Sequence, residues 1–235
     1  MTPLEPLSGL ILTGGRATRM QDVVPAAPGG ASKCHLGQAP SHDGGIDKGL
    51  LMLGGEPLVA RARRFLLPHV GTPYISANRY LAIYSQYGTV VPDDPDLGTD
   101  WGPLAGVLAG LSHISTDWMV VVPVDVPFLP PDLIPRLASG VAAGSRLMAY
   151  ADHEGAQPLC MVLHRCLAPS LRQYLLDGGR AVQRWQKIHK AASIKFQGSD
   201  YDFFNINTPG DLCLAQQFLN SQNEGQPGDD GRSDP

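Results

Sequence analysis

The feature that most narrows what this chain can fold into is an alternation. Short runs rich in apolar and β-branched residues, at 10–12, 74–77, 89–91, 119–124, 147–151 and 159–163, are too brief for helices and read as strands. Between them, residues 57–67, 104–112, 131–141, 167–176 and 182–188 carry helical amphipathic spacing. Strand and helix in turn predict a doubly wound, three-layer α/β/α domain around a mostly parallel sheet covered on both faces. Ligands of such sheets gather at the carboxyl ends of the strands.

A last helix is marked by Thr208 as cap, Pro209 at its first position and Asp211 in its positive first turn, and is expected from Pro209 to about Leu219. The polar stretch 220–235 is expected to be a disordered tail, leaving 1–219 as a single domain. Residues 21–46 break the rhythm: 26 residues of Pro, Gly, Ala, Ser and His with little periodicity, expected to be a flexible surface insertion. Its Cys34, His35, His42 and Asp43 match no familiar zinc-ligand spacing.

Charge and composition then exclude partners. The formal net charge of −4 gives no general basic field, which argues against nucleic acid and anionic membrane. The longest apolar stretches fall far short of the roughly 18 residues of a membrane span. The first eight residues carry Glu5, two prolines and no basic side chain, unlike a secretory signal, so the protein is expected in the cytoplasm. Its four cysteines lack both CxxC spacing and disulfide density, and read as reduced thiols.

The chemistry-bearing residues cluster at strand ends and turns. Leu12-Thr13-Gly14-Gly15, followed by Arg16 and Arg19, sets bare backbone amides and positive charge after the first strand. It is either a tight turn or a phosphate cradle, and it matches neither the Walker A nor the dinucleotide pattern. Lys48, in Asp47-Lys48-Gly49, is a solvated charge or, placed beside that turn, a point charge for a triphosphate. Asp125, in Pro123-Val124-Asp125-Val126-Pro127, ends the most apolar run and either caps the next turn or holds Mg²⁺ together with substrate phosphates. Asn205 and Asn207 alternate around Ile206 and share a face, either shaping the turn or holding a ligand.

Taken in order, Leu12-Thr13-Gly14-Gly15 with Arg19-Met20, Asp47-Lys48-Gly49, Asn78-Arg79, Asp93-Asp94, Gly102-Pro103-Leu104-Ala105-Gly106, Pro123-x-Asp125-x-Pro127 and Asn205-x-Asn207-Thr208-Pro209 closely resemble the molybdenum cofactor guanylyltransferase family, over about residues 8–219. The resemblance implies a nucleotide-diphospho-sugar-transferase-like, Rossmann-like fold. It also implies an enzyme that joins GMP from GTP to molybdopterin, releasing pyrophosphate. By the same resemblance Leu12, Thr13, Gly14 and Gly15 line the GTP site, Lys48 meets its phosphates, Asn78 and Asp94 hold the guanosine end, and Asp125 binds Mg²⁺. Arg19, Asn205 and Asn207 fall where the family handles reacting phosphates or the pterin, with Arg180 a further candidate for the pterin phosphate. A monomer working with other cofactor-biosynthesis proteins and molybdoenzyme chaperones is implied as well.

Two departures stand out. Family members carry only a few residues where this chain has 21–46, and Asp93-Asp94 offers two carboxylates for one family position, of which Asp94 is preferred. The related molybdopterin cytidylyltransferase resembles LAAG at the first turn and lacks GPLAG, so Gly102 to Gly106 favour guanine. A sugar-1-phosphate nucleotidyltransferase carries a further late magnesium aspartate where this chain has Asn205 and Asn207. A catalytically silent GTP-dependent cofactor carrier is the alternative outside enzymes.

Overall fold

The computed structural model describes residues 4, 6–13, 47–97 and 101–224. The strands are β1 (Leu7–Leu12), β2 (Met52–Leu53), β3 (Glu56–Pro57), β4 (Tyr74–Ser76), β5 (Thr89–Val91), β6 (Trp118–Pro123), β7 (Met148–Asp152), β8 (Ala156–His164) and β9 (Ala192–Lys195). The helices are α1 (Leu58–Leu66), α2 (Leu81–Tyr84), α3 (Pro103–His113), α4 (Leu133–Gly144), α5 (Ala168–Leu176), α6 (Val182–Ile188) and α7 (Pro209–Glu224). Seven strands form one sheet in the order β5-β4-β1-β6-β8-β7-β9. Every pairing is parallel except those that β8 makes with β6 and β7. The mostly parallel sheet expected from the alternation is therefore present, with one reversed strand.

Both faces of the central strands are covered, so adjacent residues feed different cores. Leu10, Leu12, Met119 and Val121 face a layer built from α3, α5 and α6, through Leu104, Val107, Leu171 and Trp185. Ile11, Val120 and Val122 face the opposite layer, where α1, α4 and α7 contribute Leu58, Leu66, Leu137 and Ala215. Such two-sided burial explains why these strands read as continuous apolar runs rather than as alternating ones. Helix α3 is buried along Leu104 to Leu111, as befits a helix between a sheet and a second helix. Its closeness to the sheet depends on Gly106: a Cβ there would lie 2.2 Å from Ser76 Oγ and 3.0 Å from a Leu12 methyl.

The structure departs from expectation at short or edge elements. Strand β9 alternates half-buried and exposed residues at the sheet edge, too short to stand out as a pattern. The Gly54-Gly55 turn closes the small β2–β3 hairpin ahead of α1. Helix α7 runs five residues beyond Leu219, to Glu224; a Gln216–Asn220 side-chain bond and a Ser221 hydroxyl bond to the Phe218 carbonyl span this polar turn. Gly14, Gly15, Arg19, the 21–46 insertion and the stretch after Glu224 lie outside the described residues.

Candidate active site

The chain turns back at β1: β4 and β5 lie on one side of it, and the connection then returns to β6 on the other. The crevice outside the carboxyl ends of β1, β4 and β6 is thus the ligand position that this topology favours. Leu12 accepts a hydrogen bond from Val124 N–H at 3.0 Å, which aligns the ends of β1 and β6. Thr13, almost fully buried, donates its hydroxyl to the Ser76 carbonyl at 2.6 Å and its N–H to the same oxygen at 3.2 Å. Its side chain secures the strand end, leaving ligand contact to backbone groups.

Lys48 and Asp125 meet in this crevice. Lys48 Nζ lies 3.0 Å from Asp125 Oδ2 and 2.7 Å from Asn207 Oδ1, with the two charged side chains 13% and 21% exposed. Each partner is held from behind. The Asp125 carbonyl accepts from Ile206 N–H at 2.8 Å, tying the end of β6 to the asparagine segment. Asp211 Oδ2 accepts from the N–H groups of Asn207 and Thr208, and Thr208 Oγ1 accepts from Asp211 N–H at 3.2 Å. This reciprocal cap of α7 fixes Asn207 as it starts the helix. Asn205 and Asn207 are both exposed around a buried Ile206, so they share one side of the segment.

Behind Lys48, Asp47 accepts hydrogen bonds from Tyr84 O–H and, at 3.1 Å, from Gly49 N–H, while Arg79 stands 3.6 Å away. Burial raises the Asp47 pKa above the ordinary carboxylate value despite these three stabilising neighbours. Burial, reinforced by the Asp47 charge, pushes the Tyr84 phenol up as well.

Beyond the ends of β4 and β5, Asn78 pairs with Asp93 rather than Asp94. Its Nδ2 donates to Asp93 Oδ2 at 2.8 Å, and Asp93 N–H donates to Asn78 Oδ1 at 2.9 Å, joining the carboxyl ends of β4 and β5. Asp94 turns to Arg172 of α5, which with the Asp96 N–H lowers its pKa. Arg180 lies over the Trp101 ring, 3.4 Å from its centroid, and donates to the Leu175 and Gly179 carbonyls. Lys48, Asp125 and Asn207 are therefore brought together, with Leu12 and Thr13 beside them through the strand-end bonds, whereas Asn78, Asp94 and Arg180 each have partners of their own. Tyr84, Arg172 and Trp101 were not marked by any sequence motif. A buried tyrosine in a four-residue helix carries no periodic signal, and an arginine on an amphipathic helix reads as solvated.

A family model described as MobA-like NTP transferase domain matches residues 9–192. The chain belongs to that family. This MobA-like NTP transferase is 40% identical, over 223 residues, to the molybdenum cofactor guanylyltransferase of Serratia proteamaculans, covering 94% of this chain and 99% of that one. It is 38% identical to the enzyme of the same name from Cupriavidus pinatubonensis, covering 90% and 97%. Among solved structures, molybdopterin-guanine dinucleotide biosynthesis protein A of Archaeoglobus fulgidus superposes with a TM-score of 0.69 at 21% identity, over 91% of this chain and 99% of that one, and shares the fold. Among the described residues, no helix of the MobA-like transferase is long and apolar enough to cross a membrane.

Proposed function

We propose that this MobA-like NTP transferase transfers GMP from GTP to molybdopterin and releases pyrophosphate. The observation that carries the reading is the Lys48 ammonium shared between Asp125 and Asn207 at the mouth of the parallel strands. Its support is the name borne by relatives that align with nearly the whole chain. In the proposed reaction an oxygen of the molybdopterin phosphate attacks the α-phosphorus of GTP in line. A P–O bond to the pterin forms as the α–β bond breaks, and pyrophosphate leaves with the electron pair. Both reactants are anions, so the protein's tasks are alignment and charge neutralisation rather than nucleophilic attack.

Lys48 neutralises the triphosphate, and the exposed pair Asn205 and Asn207 orients the phosphates or the pterin. Asn78, tied to Asp93, meets the guanosine, while Arg180 on its Trp101 platform meets the pterin phosphate. Asp94 belongs to the guanosine end as well, held by Arg172. Backbone groups of Leu12, Thr13, Gly14 and Gly15 line the GTP site, and Arg19 adds charge there. A hard divalent cation suits the oxygen donors present, the Asp125 carboxylate and the Asn207 amide. Asp125 would hold Mg²⁺, which when bound supplies Lewis-acid neutralisation of the phosphates.

The test is pyrophosphate release from each of the four NTPs with Mg²⁺ and molybdopterin, beside an Asp125→Ala control. Release with GTP alone, lost in the variant, is the expected result. Release with CTP would move the protein to cytidylyl transfer. GTP binding without release would favour a carrier.

A further inference from the structure

The proposed reaction leaves a buried polar network beneath Lys48 without a role. Asp47 is 4% exposed and Tyr84 fully buried, in an apolar setting that includes Leu50, Leu51 and Ala77. A carboxylate and a phenol are costly there unless each is satisfied, and their bonds are directional where an apolar pair would be interchangeable. One oxygen, Asp47 Oδ1, takes both the Tyr84 hydroxyl and the Gly49 N–H, so the residues on either side of Lys48 meet at the carboxylate oxygen that the phenol holds. Arg79 faces the other Asp47 oxygen.

The fit around the phenol is close. A Cβ at Gly49 would lie 2.3 Å from the Tyr84 oxygen, so the Lys48 turn can seat here only with glycine at that position. Asp47 and Tyr84 are 37 residues apart, so their bond is a long-range contact that ties the Lys48 turn to α2.

We propose that the Asp47–Tyr84 hydrogen bond is a latch that seats the Asp47-Lys48-Gly49 turn against α2, making Asp47 and Tyr84 positioning residues for the Lys48 ammonium. The inference rests on the reading of Lys48 as the cation that meets the GTP phosphates. Neither residue reaches the crevice itself; both act through the direction in which Lys48 leaves the turn.

The test is GTP dissociation constants at fixed Mg²⁺ for the wild type, Tyr84→Phe, Lys48→Met and the double variant. Lys48→Met is expected to weaken binding about tenfold, and Tyr84→Phe about fivefold. In the Lys48→Met background, Tyr84→Phe is expected to add less than about twofold, because the group it positions is gone. Full additivity, or no effect of Tyr84→Phe alone, overturns the latch and leaves the network a structural feature. An unchanged constant in Lys48→Met overturns the phosphate reading instead, so the two failures are distinct. Should Tyr84→Phe fail to fold, Asp47→Asn and Asp47→Ala decide: the amide keeps an acceptor for Tyr84 and Gly49. It should hold GTP affinity within about threefold, while alanine loses about tenfold. Equal losses in both would overturn the latch.

Discussion

Replacing Gly106 by alanine tests how the GPLAG segment is seated. In an open helix interior Gly→Ala stabilises by about 1 kcal/mol, because alanine loses less backbone entropy. Here the added Cβ would meet Ser76 Oγ at 2.2 Å, and both Ser76 Cβ and Leu12 Cδ2 at 3.0 Å. The Ser76 hydroxyl can swing aside. Its Cβ and the Leu12 methyl cannot, since both sit on central strands with burial on either side. Overpacking of this kind costs about 1–3 kcal/mol, which outweighs the helical gain and leaves a net loss of about 1 kcal/mol. Because Leu12 and Ser76 carry the bonds that secure Thr13 and the ends of β1 and β6, GTP affinity should fall along with stability. Urea denaturation with GTP titration on the same preparations reads both. A Gly106→Ala protein more stable than wild type by about 1 kcal/mol would show that α3 has room at this face, and would refute the close-contact reasoning.

Three further outcomes are expected. Asp125→Ala should lower turnover by two or more orders of magnitude while far-UV circular dichroism stays unchanged, since the carboxylate lies beyond the strand and caps no helix; magnesium-dependent activity in that variant would sink its role. Arg172→Ala should return the Asp94 carboxyl from its lowered pKa toward the ordinary value, read by NMR titration. The stability that Asp94 contributes, present above its unfolded pKa and lost as pH falls through the lowered folded value, should shrink with it. Asp47→Asn should gain stability relative to wild type as pH rises from the unfolded value of 3.8 toward the raised folded value, because across that window the wild-type carboxylate ionises more readily in the unfolded chain than in the fold; parallel pH–stability curves would contradict it.

What could be read from the sequence followed burial and spacing. The strands at Thr89–Val91 and the helix at Val182–Ile188 lie where periodicity put them, and the strand ending before Asp125 was evident from its apolar run. The helix start at Thr208 was legible from the Thr-Pro-x-Asp order, although the return bonds of Asp211 to the Asn207 and Thr208 N–H groups were not. The reversal of β8 was not, because a fully covered strand looks the same in either direction. Nor were the pairings of Asn78 with Asp93 and of Asp94 with Arg172: two adjacent carboxylates point to different sides of an extended segment, and only the strand ends and α5 decide which side meets which partner. Tyr84 escaped for a related reason, since its value depends on a carboxylate 37 residues earlier in the chain.

The ammonium shared by Asp125 and Asn207 also bears on the order in which the protein matures. Lys48 lies 77 residues before one partner and 159 before the other. The parallel strands β1, β4, β5 and β6 all precede Asp125 in the chain. Asn207 arrives only with the start of α7, which also delivers the Ile206 bond to the Asp125 carbonyl. The last polar partner of Lys48 is therefore also the last to be synthesised. A chain that stopped short of Asn205 would lack the third member of the Lys48 group together with the α7 residues Leu212 and Ala215 that complete one core layer.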